Sequence, residues 1–163
     1  MAKPKVTVII PVYNAGQYLE ETLASVFDQS LKGLQIICVD DGSTDNSFNI
    51  LKKYEDKLVI LQTENRGASA ARNKALEVAN GTYISFIDAD DTIPYNYIEL
   101  LYKNIKDSKA DIVITGFNFM QGSNKVKFSN PLKEGIYNSF EDKIKSLYKV
   151  LRNRLFKESV AYY

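Results

Sequence analysis

The chain has 163 residues, enough for one hydrophobic core. Its 21 basic and 20 acidic residues leave a net charge of +1, so nothing points to a general affinity for nucleic acid or for an acidic surface, and any phosphate chemistry must be local. It has no histidine and one cysteine, which removes histidine-based triads, histidine metal sites and any internal disulfide; acid-base or metal work falls to carboxylates.

Val6 to Val12 is a short β-branched run ending in Tyr13-Asn14-Ala15-Gly16, a buried strand and its turn. Tyr18, Leu19, Leu23, Val26 and Phe27 then recur at helical spacing, predicting a helix over Gln17 to Asp28. Leu34 to Val39, which holds Cys38 in a burial context, is a second strand. Asp40-Asp41-Gly42-Ser43-Thr44-Asp45 follows as a turn able to cap a helix running to about Tyr54. Leu58 to Leu61 is a third strand, Ala68 to Ala79 a helix stopped by Asn80-Gly81, and Thr82 to Ile87 a fourth strand. After the acidic cluster Asp88-Ala89-Asp90-Asp91, Pro94 suits the first turn of a helix with Ile98, Leu101 and Ile105 on one side, and Asp111 to Thr115 reads as strand again. Phe117 to Phe128 reads as a hairpin, and Ser139 to Leu155 as a helix with one basic face. That face suits solvent, with contact to an acidic membrane surface left open.

Strands alternating with helices predict an α/β sandwich around a mostly parallel sheet, in one domain over residues 1–163. No run reaches the roughly 18 apolar residues of a membrane span, and the N-terminus is short for a signal peptide, so a cytoplasmic protein is the expectation.

In such sheets ligands bind beyond the carboxyl ends of the strands. Parallel strands would bring Tyr13, Asp40-Asp41, Asn65-Arg66-Gly67 and Asp88-Ala89-Asp90-Asp91 to one rim. Three carboxylates within four residues repel one another unless a cation, donors or water compensate. A hard divalent cation there, Mg2+ or Mn2+, could bridge to phosphate oxygens. Arg66 and Arg72 add charge suited to phosphate or to an acidic partner. Plainer roles exist for each: Asp40 to Ser43 as a turn and helix cap, Asp91 or Thr92 as a cap, and Arg72 as a solvated charge.

The motifs Val8-Ile9-Ile10-Pro11-Val12-Tyr13-Asn14, Val39-Asp40-Asp41-Gly42-Ser43-Thr44-Asp45, Asn65-Arg66-Gly67, Ala71-Arg72-Asn73 and Phe86-Ile87-Asp88-Ala89-Asp90-Asp91 resemble, in order and spacing, those of family 2 glycosyltransferases. The resemblance is strong over about residues 4–120 and general beyond. It implies a GT-A fold and transfer, with inversion, of a sugar from a nucleoside-diphosphate donor, most often a uridine one. The acceptor would be a carbohydrate or lipid-linked hydroxyl, as in cell-surface polysaccharide or glycoconjugate synthesis. It further implies that Pro11, Val12 and Tyr13 line the nucleoside pocket, and that Asp41 meets the base with Asp40 beside it. Arg72 would face the diphosphate, Asp88 in the Asp88-Ala89-Asp90 motif would contact ribose or sugar hydroxyls, and Asp90, with Asp91 as a second ligand, would hold the metal.

The family's general base lies further along than the 72 residues that follow Asp91. Glu141-Asp142 comes too early and Glu158 has no supporting context. The expectation is therefore a donor-binding part, cut before the acceptor half, that binds donor with or without turnover. Phe86 to Thr92 also fits the nucleophile strand of haloacid dehalogenase-like phosphatases, with Asp88 as nucleophile, although no convincing downstream lysine and acidic pair follow. A dinucleotide-binding dehydrogenase would need glycines where Tyr13 and Asn14 stand.

Overall fold

The computed structural model describes residues 3–115, 117–121 and 124–128. The expected helix over Ser139 to Leu155, Glu141-Asp142 and Glu158 lie outside them. The chain divides into two compact units, Met1–Lys103 and Asn104–Tyr163.

The first unit is built on four parallel strands, β1 (Val6–Val12), β2 (Leu34–Asp40), β3 (Val59–Gln62) and β4 (Tyr83–Phe86), in the order β3-β2-β1-β4. Between them run α1 (Leu19–Phe27), α2 (Ser47–Lys52) and α3 (Ala68–Leu76), and α4 (Tyr97–Ser108) follows β4. Alternation along β1 divides its side chains between two cores, because successive strand residues point to opposite faces. Val6, Val8, Ile10 and Val12 join Ile36 and Cys38 in a core filled by Leu19, Leu23 and Val26 of α1 and Ile50 and Leu51 of α2; Ile87 and Ile98 close it. Ile9, Ile37 and Val39 on the other face meet Ala71 and Ala75 of α3. Each large aliphatic side chain buried in this way contributes about 1.5–3 kcal/mol. Alanines at the α3 contact let that helix lie close on the sheet.

Several boundaries differ from the sequence reading. Residues 111–115 form no strand. Pro94 precedes α4 rather than sitting in its first turn, its carbonyl accepting from Tyr97 N–H at 2.9 Å. Neither Asp91 nor Thr92 stands at the start of α4, which begins at Tyr97. Asp40 to Ser43 do not cap α2 either: that helix begins at Ser47, whose N–H donates to Asp45 Oδ1 at 2.9 Å. Gly81 is not the end of α3, which stops at Leu76. A Cβ at Gly81 would stand 2.4 Å from the Thr7 nitrogen, so its role is to let the chain pass against β1.

In the second unit, β5 (Phe117–Gln121) and β6 (Asn124–Phe128) pair antiparallel.

Candidate nucleotide and metal site

Strand register brings the sheet's polar ends together. Val12 is level with Asp40, and Asp40 with Gln62. Asp41 N–H continues the ladder to Val12 C=O at 2.8 Å, and Thr63 N–H to Asp40 C=O at 2.9 Å. On the other side of β1, Ile9 pairs with Phe86 and accepts from Ile87 N–H, so the acidic cluster leaves β4 at the same end. The strand order reverses between β1 and β4, the switch point at which open α/β sheets form a ligand crevice.

The loop after β1 is stapled to the loop after β2. Asn14 takes a left-handed conformation (φ 48°), one that asparagine tolerates better than most residues. Its Oδ1 accepts from Thr44 N–H at 2.8 Å and from Asp45 N–H at 3.4 Å, while its own N–H donates to Ser43 Oγ at 3.0 Å. Asp45 Oδ2 accepts from Gly16 N–H at 2.9 Å. The Ser47 hydroxyl, the N–H groups of Ser47 and Gly16 and the carboxylate's own backbone hold Asp45 below the usual carboxylate range, against the upward push of burial. Beside this staple the Tyr13 side chain is half exposed and Pro11 partly so. Val12 is fully buried, so its side chain belongs to the core rather than to the rim.

Asp41 ties the second loop to the third. Its Oδ1 accepts from Thr63 Oγ1 at 2.8 Å and Arg66 N–H at 3.0 Å, and its Oδ2 from Gly67 N–H at 2.7 Å. Burial raises the pKa of this carboxyl, but the Arg66 N–H, the Thr63 hydroxyl, the Gly67 N–H and the Arg66 charge outweigh it, so the net shift is downward. The neighbouring Asp40 is equally buried and accepts from Ser43 N–H at 3.3 Å. Arg66 itself is exposed, with Glu64 at 3.3 Å.

Arg72 on α3 reaches across to the acidic cluster and pairs with Asp88, both side chains about one-third exposed; its guanidinium also lies 6.0 Å from the centre of the Phe86 ring. Ala89 is buried, whereas Asp90 and Asp91 are exposed. Asp91 N–H donates to Asp88 C=O at 3.1 Å, which makes the cluster a tight turn. Among the described residues no cluster of three or more acidic, cysteine or histidine side chains is placed to hold a metal ion. A magnesium-like ion needs no such cage: it commonly uses one or two carboxylates and completes its shell with water and substrate phosphate. Two exposed carboxylates on a fixed turn fit that mode, with Asp90 and Asp91 as the groups that would hold the ion.

Cys38 has no part in the rim. It is fully buried in β2, and burial pushes its thiol up to about 12. Among the described residues, no helix is long and apolar enough to cross a membrane. The sequence reading placed Asn14 in a rim turn without a role and missed Thr63, Gln29, Thr22 and Ser25, all of which fix rim loops. Asn14 and Asp45 carried a readable signal, as turn-forming residues next to strand ends, and the others did not.

A family model described as "Glycosyl transferase family 2" matches residues 7–162, beyond the stretch where the motifs are plainest. Glycosyltransferase GlyA of Streptococcus pneumoniae is 37% identical over 143 residues, which are 86% of this chain and 20% of GlyA. The crystal structure of Staphylococcus aureus TarS 1-349 in complex with UDP-GlcNAc superposes with a TM-score of 0.61 at 34% identity, covering 66% of this chain and 32% of that one. Mannosyltransferase PcManGT from Pyrobaculum calidifontis, in complex with GDP-Man and Mn2+, gives 0.58 at 29% identity, covering 71% and 35%. The chain thus spans between a fifth and about a third of the length of these proteins.

Proposed function

Because this chain belongs to glycosyl transferase family 2, we propose that its rim binds a nucleoside-diphosphate sugar, with uridine as the base, together with Mg2+ or Mn2+, for inverting transfer of the sugar to an acceptor hydroxyl. The observation that carries this reading is the convergence of Tyr13, Asp41 and the Asp88 to Asp91 turn at the switch point of one parallel sheet. The crystallised relatives that bind UDP-GlcNAc, or GDP-Man with Mn2+, support it. Family membership sets aside the phosphatase alternative in which Asp88 would be the nucleophile.

In this reading the nucleoside lies along the β1 end, with Pro11 and the exposed Tyr13 ring against the base and with the Asp40-Asp41 loop as its polar wall. Asp41 already accepts three protein donors, so a base N–H would join that set as a further donor to the same carboxylate. Asp88 would accept from ribose or sugar hydroxyls, and Arg72, its ion-pair partner, would lie toward the diphosphate. When bound, the metal supplies charge stabilisation for the departing diphosphate. Asp90 and Asp91 place two negative charges where that ion is needed and leave its remaining positions open. No described carboxylate is assigned as the general base, and the donor step is what the described residues support. The acceptor is proposed only as a carbohydrate or lipid-linked hydroxyl at the cytoplasmic side of a cell-surface polymer pathway, with peripheral membrane contact compatible with the composition.

The test is thermal. UDP alone should raise the melting temperature slightly, and UDP with Mn2+ should raise it by several degrees, because the nucleotide and the ion bind the folded state together. Asp90→Asn should remove the metal-dependent part and keep the metal-free part. An Asp90→Asn protein with the full metal-dependent shift would contradict the ligand assignment.

A further inference from the structure

The acidic turn is held from behind by α1, and the contacts form a single device. Thr22, Ser25 and Gln29 recur at three- and four-residue spacing, so they share one stripe of the helix and its continuation. Thr22 is fully buried and its hydroxyl donates to Ala89 C=O at 2.8 Å. Ser25 Oγ accepts from Ile93 N–H at 3.3 Å. Gln29, 1% exposed, uses both ends of its carboxamide: Nε2 donates to Pro94 C=O at 2.8 Å and to Ser25 C=O at 3.0 Å, and Oε1 accepts from Ile98 N–H at 2.9 Å.

The segment from Ala89 to Asn96 lies in neither strand nor helix, so its backbone groups must find partners outside a ladder. Thr22 and Ser25 of α1 and Gln29 just beyond it satisfy three of them, Ala89 C=O, Ile93 N–H and Pro94 C=O, and Gln29 also takes Ile98 N–H in the first turn of α4. Ala89 and Ile93 bracket Asp90 and Asp91. The direction in which those carboxylates leave the turn is therefore set by α1, while the Asn14 staple and the Asp41 bracket fix the opposite side of the rim.

We infer that Gln29, with Thr22, is a positioning residue for the metal-binding turn: it tunes the metal-dependent part of nucleotide binding without touching ligand. This rests on the functional reading above. Outer groups that orient metal ligands commonly change metal affinity by about 10- to 100-fold when removed. Gln29→Met keeps the shape of the side chain and deletes its hydrogen bonds, Thr22→Val deletes the bond to Ala89 C=O together with the longer one to Tyr18 C=O within α1, and Gln29→Glu retains an acceptor for Ile98 N–H while losing the donor to Pro94.

The experiment measures UDP affinity of the full chain by calorimetry, with Mn2+ and with chelator, together with amide hydrogen exchange in the absence of nucleotide and metal. In wild type, Mn2+ should tighten UDP binding. In Gln29→Met and Thr22→Val that gain should fall about tenfold or more, while metal-free UDP affinity stays at the wild-type value. Exchange at Ile98 should accelerate in Gln29→Met with β1 amides unchanged, and Gln29→Glu should restore protection at Ile98. A purely structural role would lower the melting temperature and leave the Mn2+ gain intact. That gain surviving in both Gln29→Met and Thr22→Val overturns the inference and leaves the functional reading standing, whereas a wild-type protein with no Mn2+ gain overturns both.

Discussion

Both carboxylate oxygens of Asp41 are bonded to protein groups, and the ordinary carboxylate pKa near 3.9 is displaced downward as a consequence. Asp45 is displaced in the same direction by Ser47 and Gly16. For both groups the unfolded chain holds more protons than the folded one between the folded and unfolded pKa values, so stability rises with pH in that window. Their contribution is complete above about pH 4 to 5 and is lost as pH falls through the folded values. Asp41→Asn should lower stability at pH 7 by about 2 kcal/mol, because an amide nitrogen would then face donors that the carboxylate accepts. The same variant should flatten the acid limb of a plot of unfolding free energy against pH, measured in urea. An acid limb as steep as in wild type would show that other carboxylates govern it. The place of Asp41 just after β2 was legible in the sequence, but its hold on Thr63, Arg66 and Gly67 was not, because a hydrogen bond across 22 to 26 residues leaves no local pattern.

Among the elements, the four parallel strands and the helices between them followed from period and β-branching; burial on both faces gives β1 and β2 plain apolar runs, while the half-exposed β3 and β4 are shorter. Ends were harder to read. The α3 pattern suggested Ala68 to Ala79 with Gly81 as its stop, yet the helix ends at Leu76 and Gly81 is needed where the chain crosses β1. Composition alone does not separate a helix-terminating glycine from one that permits close approach. Gly81→Ala should cost about 1–3 kcal/mol of overpacking, read as a lower urea midpoint with an unchanged slope, because the added methyl meets β1 backbone and the fully buried Thr7 hydroxyl. A midpoint equal to that of wild type would mean that the strand end yields freely. Residues 111–115 carry the apolar run Ile112 to Ile114 without forming a strand, which shows how little three apolar residues specify on their own.

For the molecule as a whole, the register joins parts that the sequence separates. Tyr13, Asp41 and Asp88 lie far apart along the chain and share one end of the sheet because β1 is flanked by β2 and β4, with the strand order reversing between β1 and β4. The motif order identified the family before any geometry was known, and the fold explains why those motifs belong together: four of them are at or just beyond the carboxyl end of a strand, and Ala71-Arg72-Asn73 lies on α3, from which Arg72 reaches Asp88. What the motifs did not reveal is the polar stripe of α1, whose residues resemble an ordinary helix end.

The most direct test of the account is an amide chemical-shift map of the full chain titrated with UDP, first in chelator and then with Mg2+. The account predicts that UDP alone perturbs Tyr13, Asp41 and Arg66, and that Mg2+ adds perturbations at Asp90 and Asp91. Perturbations confined to other surfaces, or none at millimolar UDP with Mg2+, would contradict it.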